Sequence, residues 1–182
     1  MPEITRSTSL EELAVIVSQA LERAGIVATL SGGSAVSIYS NNRYQSHDLD
    51  FVTSADPERL RPVVASLGFR QTESRRLYAH PQTAWLLEFP TGPLGFGQIT
   101  VDARQLESLI TPWGPLRVIT PTLCVMDRLA AFCHWNDRQC WDQALLVARS
   151  RSVDWSQLQA WATQEGLSLQ AWERFRGEAE KT

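Results

Sequence analysis

Two aspartates follow a glycine turn, and this pairing constrains the fold more than any other feature of the chain. An apolar run over residues 26–30 ends in the Ser-Gly-Gly-Ser turn of residues 31–34, and a later apolar stretch carries Asp48 and Asp50. Side chains two residues apart in a strand point to the same face, so we expect these two carboxylates to lie side by side. Neighbouring carboxylates repel each other unless a proton or a cation lies between them. The pattern therefore predicts a divalent metal ion beside a turn that binds phosphate.

Apolar periodicity and turn residues predict alternating helices and strands before residue 120 and helices alone after it. The predicted strands cover residues 26–30, 48–52, 69–79, 84–89 and parts of 98–119. The predicted helices begin near residues 10, 34, 57, 121, 138, 155 and 169, and a loop rich in glycine and proline covers residues 90–97. This order predicts an α+β fold in two parts, an α/β core over residues 1–119 and a C-terminal helical region over residues 120–182 that docks on it.

Composition narrows the class of protein. A 43% apolar fraction is enough to build a core. A charged fraction of 20% and a net charge of −3 disfavour a protein that coats nucleic acid or binds to a membrane surface. The N-terminus lacks the apolar segment of a signal peptide, and no apolar run approaches the ~20 residues of a membrane span. The three cysteines are an odd number clustered in one predicted helical region, which disfavours a disulfide framework, and they have no CxxC spacing, which disfavours a zinc site. We therefore expect a soluble, cytoplasmic protein with no membrane partner.

The spacing of the turn and the aspartates resembles a known family. Gly-Gly-Ser, thirteen further residues and then Asp-Leu-Asp-Phe looks like the motif of the nucleotidyltransferase fold of the polymerase-β type. The resemblance covers roughly residues 10–105, and it implies a mixed sheet flanked by helices, with the glycine turn between a strand and a short helix.

The same resemblance implies roles for five residues. Asp48 and Asp50 would bind one or two Mg²⁺ or Mn²⁺ ions, and the turn at Gly32 and Gly33, together with the Ser34 hydroxyl, would hold the phosphates of a nucleotide. A helix N-terminus after a glycine turn offers unpaired N–H groups and a positive dipole end to such an anion. Two alternatives are an ordinary turn and strand with solvent-exposed aspartates, and a phosphate-binding fold that has lost catalysis.

A third acid is expected from a later strand, because the family usually adds one near the metal site. Glu88 lies in an otherwise apolar strand, where an unpaired carboxylate is costly to bury unless a cation is close. Asp102 is the second candidate, and we prefer Glu88. For either residue the alternative is an acid on an edge strand that faces water.

The helical half narrows the resemblance to the AbiEii-like nucleotidyltransferase toxins, on residues 127–131, 137–139 and 142–146. In that group a lysine contacts phosphate and a downstream aspartate supports the site. Arg128 occupies the lysine position. An arginine there keeps the positive charge and the hydrogen bonds to phosphate, but it cannot transfer a proton. Asp142 matches the downstream aspartate. The alternative is that both residues belong to a solvated or salt-bridged helical face.

Four further residues have weaker signals. His47 directly precedes the first aspartate and is a candidate to orient a metal ligand, although a loop histidine without a role is the alternative. Arg43 lies in the loop expected to overhang the site and is a candidate to contact a triphosphate. His134 and Trp135 are expected to pack against neighbouring helices.

Together these features predict a metal-dependent nucleotidyltransferase that transfers a nucleoside monophosphate from a nucleoside triphosphate to a hydroxyl group. The AbiEii-like resemblance implies RNA, such as a tRNA 3′ end, or a protein as the acceptor, and an antitoxin partner within a toxin–antitoxin pair. One alternative is an enzyme that acts on a small metabolite or antibiotic. The other is a catalytically degraded module that binds nucleotide in a regulatory role.

Overall fold

Seven α-helices and nine β-strands make up the computed structural model over residues 3–181, the part of the chain that it describes. The helices are α1 Leu10–Arg23, α2 Gly32–Tyr39, α3 Pro57–Ser66, α4 Pro121–Trp135, α5 Arg138–Ser150, α6 Trp155–Glu165 and α7 Leu169–Ala179. The strands are β1 Thr29–Ser31, β2 Asp48–Val52, β3 Arg70–Gln71, β4 Leu77–Ala79, β5 Leu86–Glu88, β6 Leu94–Phe96, β7 Ile99–Val101, β8 Leu109–Thr111 and β9 Gly114–Leu116. Within these residues, every helix is too short or too polar to cross a membrane.

A mixed sheet of five strands lies at the centre of the fold, in the order β1-β2-β5-β4-β3. The central pair, β2 and β5, is parallel, and the other neighbouring pairs are antiparallel. Strands β6 and β7 form one separate hairpin, and β8 and β9 form another. The α+β fold with a mixed sheet and a helical C-terminal region is therefore confirmed.

Side-chain caps explain why the helix starts were predictable. Ser9 begins α1 with a complete capping box, in which Ser9 Oγ accepts from Glu12 N and the Glu12 carboxylate accepts from Ser9 N. Five other helices begin after a residue whose side chain accepts a backbone hydrogen bond from the first turn, namely Asp56, Thr120, Asp137, Asp154 and Ser168.

Two strand predictions were wrong in detail. Residues 69–79 do not form one strand, because the chain reverses between β3 and β4, where Thr72 N and Thr72 Oγ1 both donate to Leu77 O. The predicted loop over residues 90–97 contains β6, because Gly97, with φ of +61°, makes the tight turn that lets β6 pair with β7. Both errors arise from short hairpins, whose strands are too brief to show an alternating pattern.

The C-terminal helices share one hydrophobic cluster with the sheet and the N-terminal helices. Leu49 and Leu87 from the sheet are fully buried, as are Val125 and Leu129 of α4. A polar contact adds to this packing, since Arg151, which follows α5, donates from Nε to Tyr39 O at the C-terminal end of α2, at 3.0 Å. The division near residue 120 stays a prediction.

Candidate active site

Three carboxylates meet on one face of the sheet. Strand β2 alternates, so that Asp48 and Asp50 are half-buried on one face while Leu49 and Phe51 are fully buried on the other. The parallel register of β2 and β5 sets Glu88 beside Asp50. One carboxylate oxygen from each of the three acids lies within 4.8 Å of the others. The expectation that Glu88 lies within reach of a metal ion held by the two aspartates is confirmed as geometry; its catalytic role stays a prediction.

Burial and crowding raise the pKa of one of these carboxylates, Asp50. Burial, the largest cause, and the negative charges of Asp48 and Glu88 together raise the pKa of the Asp50 carboxyl to about 7, while Arg128 opposes them. Three oxygen donors that repel one another form the ligand set that hard divalent cations such as Mg²⁺ and Mn²⁺ prefer. The residues present therefore fit such an ion.

Gly32 permits the close approach of the glycine turn to the carboxylates. Its φ is +63°, a backbone conformation that residues with a side chain rarely adopt. A Cβ atom at this position would also overlap Asp50 Oδ2. The glycine is therefore required twice over, by the backbone and by the carboxylate packed against it.

The first turn of α2 faces the site without a side-chain cap. Ser31, its N-cap, donates from Oγ to Asp50 O at 3.4 Å and accepts no hydrogen bond from the first turn of the helix, unlike the caps of the other six helices in residues 3–181. Uncapped N–H groups at a helix N-terminus can bind an anion. The Ser34 hydroxyl does not take the predicted position, because it is fully buried and donates to Ser31 O at 2.9 Å. It stabilises the turn instead of facing a ligand.

Sequence reasoning missed two residues that lie against the turn and the first aspartate. Ser46 donates from Oγ to Asp48 Oδ1 at 2.8 Å, and its backbone N–H donates to Ser37 Oγ at 2.9 Å. The Tyr44 ring lies so close to Gly33 that a Cβ there would be 3.1 Å from Tyr44 Cε1. The available signal was the spacing of Ser46, two residues before Asp48 and hence on the same face of an extended chain.

Arg128 reaches the site from α4 and is held by three neighbours. Asp127 Oδ2 accepts from Arg128 Nη2 at 2.6 Å, Gln143 Oε1 accepts from Nη1 at 3.3 Å, and the Cys140 sulfur lies 3.8 Å from Nη1. Burial alone would lower the pKa of this guanidinium, but the adjacent Asp127 carboxylate raises it overall. Arg128 therefore stays charged beside the carboxylates, in a fixed orientation that the sequence did not reveal.

Four predicted residues lie apart from the carboxylates or are exposed. Arg43 and His47 are exposed in the loop before β2, and Asp142 is exposed on α5. Asp102 accepts from Arg104 N and borders a cavity of about 480 Å³ that also touches Val52, so it lies at the opposite end of β2 from Asp48. Glu88, rather than Asp102, is the acid that the structure brings to the two aspartates.

Comparisons with known proteins give no match to a protein-family model and none to a curated protein sequence. Solved structures do match. A nucleotidyltransferase-like antigen from Paracoccidioides brasiliensis is 14% identical, with 96% of this chain and 93% of that chain covered and a TM-score of 0.65. The solution structure of the antibiotic-resistance factor ANT(2'')-Ia is 13% identical, with 93% and 91% covered and a TM-score of 0.51. A crystal structure of ANT(2'')-Ia with adenylyl-2''-tobramycin is 15% identical, with 94% and 97% covered and a TM-score of 0.52.

The fold is that of the nucleotidyltransferase-like proteins. The likeness extends over more than nine-tenths of each chain, so it includes the C-terminal helices as well as the sheet. At these identities it concerns the fold alone. The narrower resemblance to AbiEii-like toxins stays a prediction.

Replacement of Gly32 by alanine should lower the free energy of unfolding by more than the strain of its positive φ alone would. Gly25 is a matched control, because its φ of +68° is nearly the same and a Cβ there meets no atom within 4 Å. We expect Gly25→Ala to lower the free energy of unfolding by about 1 kcal/mol, and Gly32→Ala by roughly 1–3 kcal/mol more, because its methyl group displaces the Asp50 carboxylate. Urea unfolding of both variants measures the difference. Equal losses would show that Gly32 and Asp50 do not pack together.

Asp50 should make the metal-free protein less stable as the pH rises. In the unfolded chain an aspartate ionises near pH 4, whereas the folded protein holds the proton until about pH 7. The free energy of unfolding should therefore fall between these two pH values, and Asp50→Asn should remove that fall. Above pH 7 we expect the variant to be more stable than the wild type by about 1–3 kcal/mol.

The measurement is thermal unfolding at several pH values in the presence of a chelator, with the exposed Asp142→Asn variant as the control for loss of one charge. A difference between Asp50→Asn and wild type that stays constant from pH 4 to pH 8 would contradict the raised pKa.

Proposed function

We propose that this protein is a divalent-metal-dependent nucleotidyltransferase that transfers a nucleoside monophosphate from a nucleoside triphosphate to a hydroxyl acceptor and releases pyrophosphate. The observation that carries the proposal is the convergence of Asp48, Asp50 and Glu88 beside the glycine turn. The nucleotidyltransferase-like fold supports the proposal. From the glycine-turn and aspartate motif we expected the reacting phosphates to bind at this same turn.

Each part of the site has a separate task in this reaction. Asp48 and Asp50 would hold the metal, which would supply positive charge against the phosphates. The uncapped first turn of α2 holds phosphate oxygens, and Arg128 donates hydrogen bonds to the same group. The Glu88 carboxylate accepts the proton of the acceptor hydroxyl as its oxygen bonds to the α-phosphorus, while the bond from that phosphorus to the bridging oxygen breaks and pyrophosphate leaves.

A small hydroxyl compound is the acceptor class that the observations favour. The net charge of −3 gives no reason to expect an extended polyanion such as RNA on the surface. A protein of similar fold and almost the same extent has been crystallised with adenylyl-2''-tobramycin, a small adenylylated compound. An RNA or protein acceptor, in a toxin–antitoxin pair, is the alternative that follows from the AbiEii-like resemblance.

A catalytically degraded module is the second alternative, and the observation behind it is Arg128. An arginine at the position of the family's lysine stabilises phosphate but does not transfer a proton. Such a module would bind nucleotide in the presence of metal and label no acceptor.

Transfer of label separates these functions. The protein is incubated with each α-labelled nucleoside triphosphate and Mg²⁺, together with aminoglycosides and other small hydroxyl compounds, total RNA, or cell lysate. We expect a labelled small product and pyrophosphate from the wild type, and neither from Asp48→Asn plus Asp50→Asn, because the metal ligands are lost while the fold is kept. Label on RNA or protein would support the toxin alternative. Metal-dependent nucleotide binding without any labelled product would support the catalytically degraded module.

The choice between the two candidate acids gives a sharper prediction. Glu88→Gln should lower turnover by roughly 10²-fold or more, because it removes the group that accepts the proton. Asp102→Asn, at the other end of β2, is the matched control and should leave turnover unchanged. Initial rates of pyrophosphate release at saturating nucleotide make the comparison. A large loss in Asp102→Asn with none in Glu88→Gln would reverse the assignment.

A further inference from the structure

Trp135 is exposed at the end of α4, where helix packing was expected. The residue is 77% exposed, and Asn136 directly after it adopts a left-handed conformation, with φ of 52°, that ends the helix. The expectation that His134 and Trp135 pack within the helical region was therefore wrong for the tryptophan. A single exposed aromatic residue is common on protein surfaces, so its position decides whether it has a function.

The position of Trp135 follows from its spacing to Arg128. Seven residues separate the two, so they lie on almost the same face of α4, about 10 Å apart along its axis. Helix α4 begins beside the C-terminal end of α2, where Tyr39 Oη donates to Ile119 O at 2.6 Å, and it packs along α2, so its second half lies toward the first turn of α2 beside the carboxylates. A comparable distance separates the phosphates of a nucleoside triphosphate from its base.

The connection that follows Trp135 also borders the site. Cys140 Sγ donates to Asp137 Oδ2 at 3.3 Å and lies 3.8 Å from Arg128 Nη1. The end of α4 is therefore near Arg128, the residue that we assign to the proposed phosphate site.

A buried carboxylate fixes the end of α4 in place. The Glu165 side chain is only 2% exposed, and Glu165 Oε1 forms a hydrogen bond with His134 Nε2. Glu165 Oε2 also accepts from Gln98 N at 2.9 Å, which ties α4 and α6 to the turn between β6 and β7. The Trp135 ring packs edge-on against the His134 ring, with 6.3 Å between centroids. The indole is thus presented to solvent from an anchored position.

We propose that Trp135 is the platform on which the base of the bound nucleotide stacks. This inference rests on the proposed function, because it needs the phosphates to lie between the carboxylates and Arg128. Stacking on an indole contributes to affinity for any base, since every base has a π-face. We therefore expect a large contribution of the base to binding and little discrimination among the four bases.

Binding titrations with and without a base test the proposal. Calorimetry with Mg²⁺ compares ATP with inorganic tripolyphosphate, which has the phosphates and no base, on wild type, Trp135→Ala and Trp135→Phe. Trp113→Ala is the matched control, because Trp113 is also exposed, at 44%, in the β8–β9 turn that packs near α1. We expect Trp135→Ala to weaken ATP binding roughly tenfold or more and to leave tripolyphosphate binding unchanged. Trp135→Phe should keep most of the affinity, and Trp113→Ala all of it.

Three outcomes would overturn the proposal. Unchanged ATP affinity in Trp135→Ala would show that the indole does not contact the base. An equal loss for ATP and tripolyphosphate would show that the variant disturbs the phosphate site. A wild type that binds tripolyphosphate as tightly as ATP would show that no platform exists. Failure of the wild type to bind either compound would instead refute the proposed function itself, and the platform with it.

Discussion

The mutual repulsion of three carboxylates is the constraint on which the rest of the site depends. Parallel pairing of β2 with β5 forces Glu88 beside Asp50, and the alternation of β2 forces Asp48 onto the same face. A fold that only needed to be stable would not place three acids there, because burial already keeps one of them from ionising at the pKa of an ordinary aspartate. The arrangement is understandable when a cation is part of the working state, since that cation removes the repulsion.

Local signals explain why so much of the fold was predictable from the sequence. Helix starts were marked by side-chain caps, and Asp48 and Asp50 were assigned to one face because strand geometry has a strict period of two. Glu88 was a candidate because the family resemblance implies a third acid on a later strand and Glu88 lies in an apolar one. These features depend on residues within a few positions of one another, so they can be found without knowing how distant segments pack.

The features that were not predicted depend on distant contacts. The orientation of Arg128 is set by Gln143, fifteen residues away along the chain, and the burial of Ser34 by the packing of α2. The distance of Asp102 from the two aspartates depends on how the β6–β7 hairpin packs, because Asp102 borders a cavity with Val52 at the far end of β2. The strands of the short hairpins were not predicted for a different reason, because two or three residues per strand are too few to show a hydrophobic period.

The pairing of Arg128 with Asp127 has a consequence for the order in which ligands bind. The Asp127 charge offsets part of the arginine's charge, so the arginine offers directed hydrogen bonds but a reduced net attraction to an approaching anion. A free triphosphate, itself highly negative, would meet an electrostatic barrier at the three acids. In the proposed reaction, nucleotide and metal ion would therefore be coupled ligands, each raising the affinity of the site for the other, and the nucleotide would enter as its metal chelate.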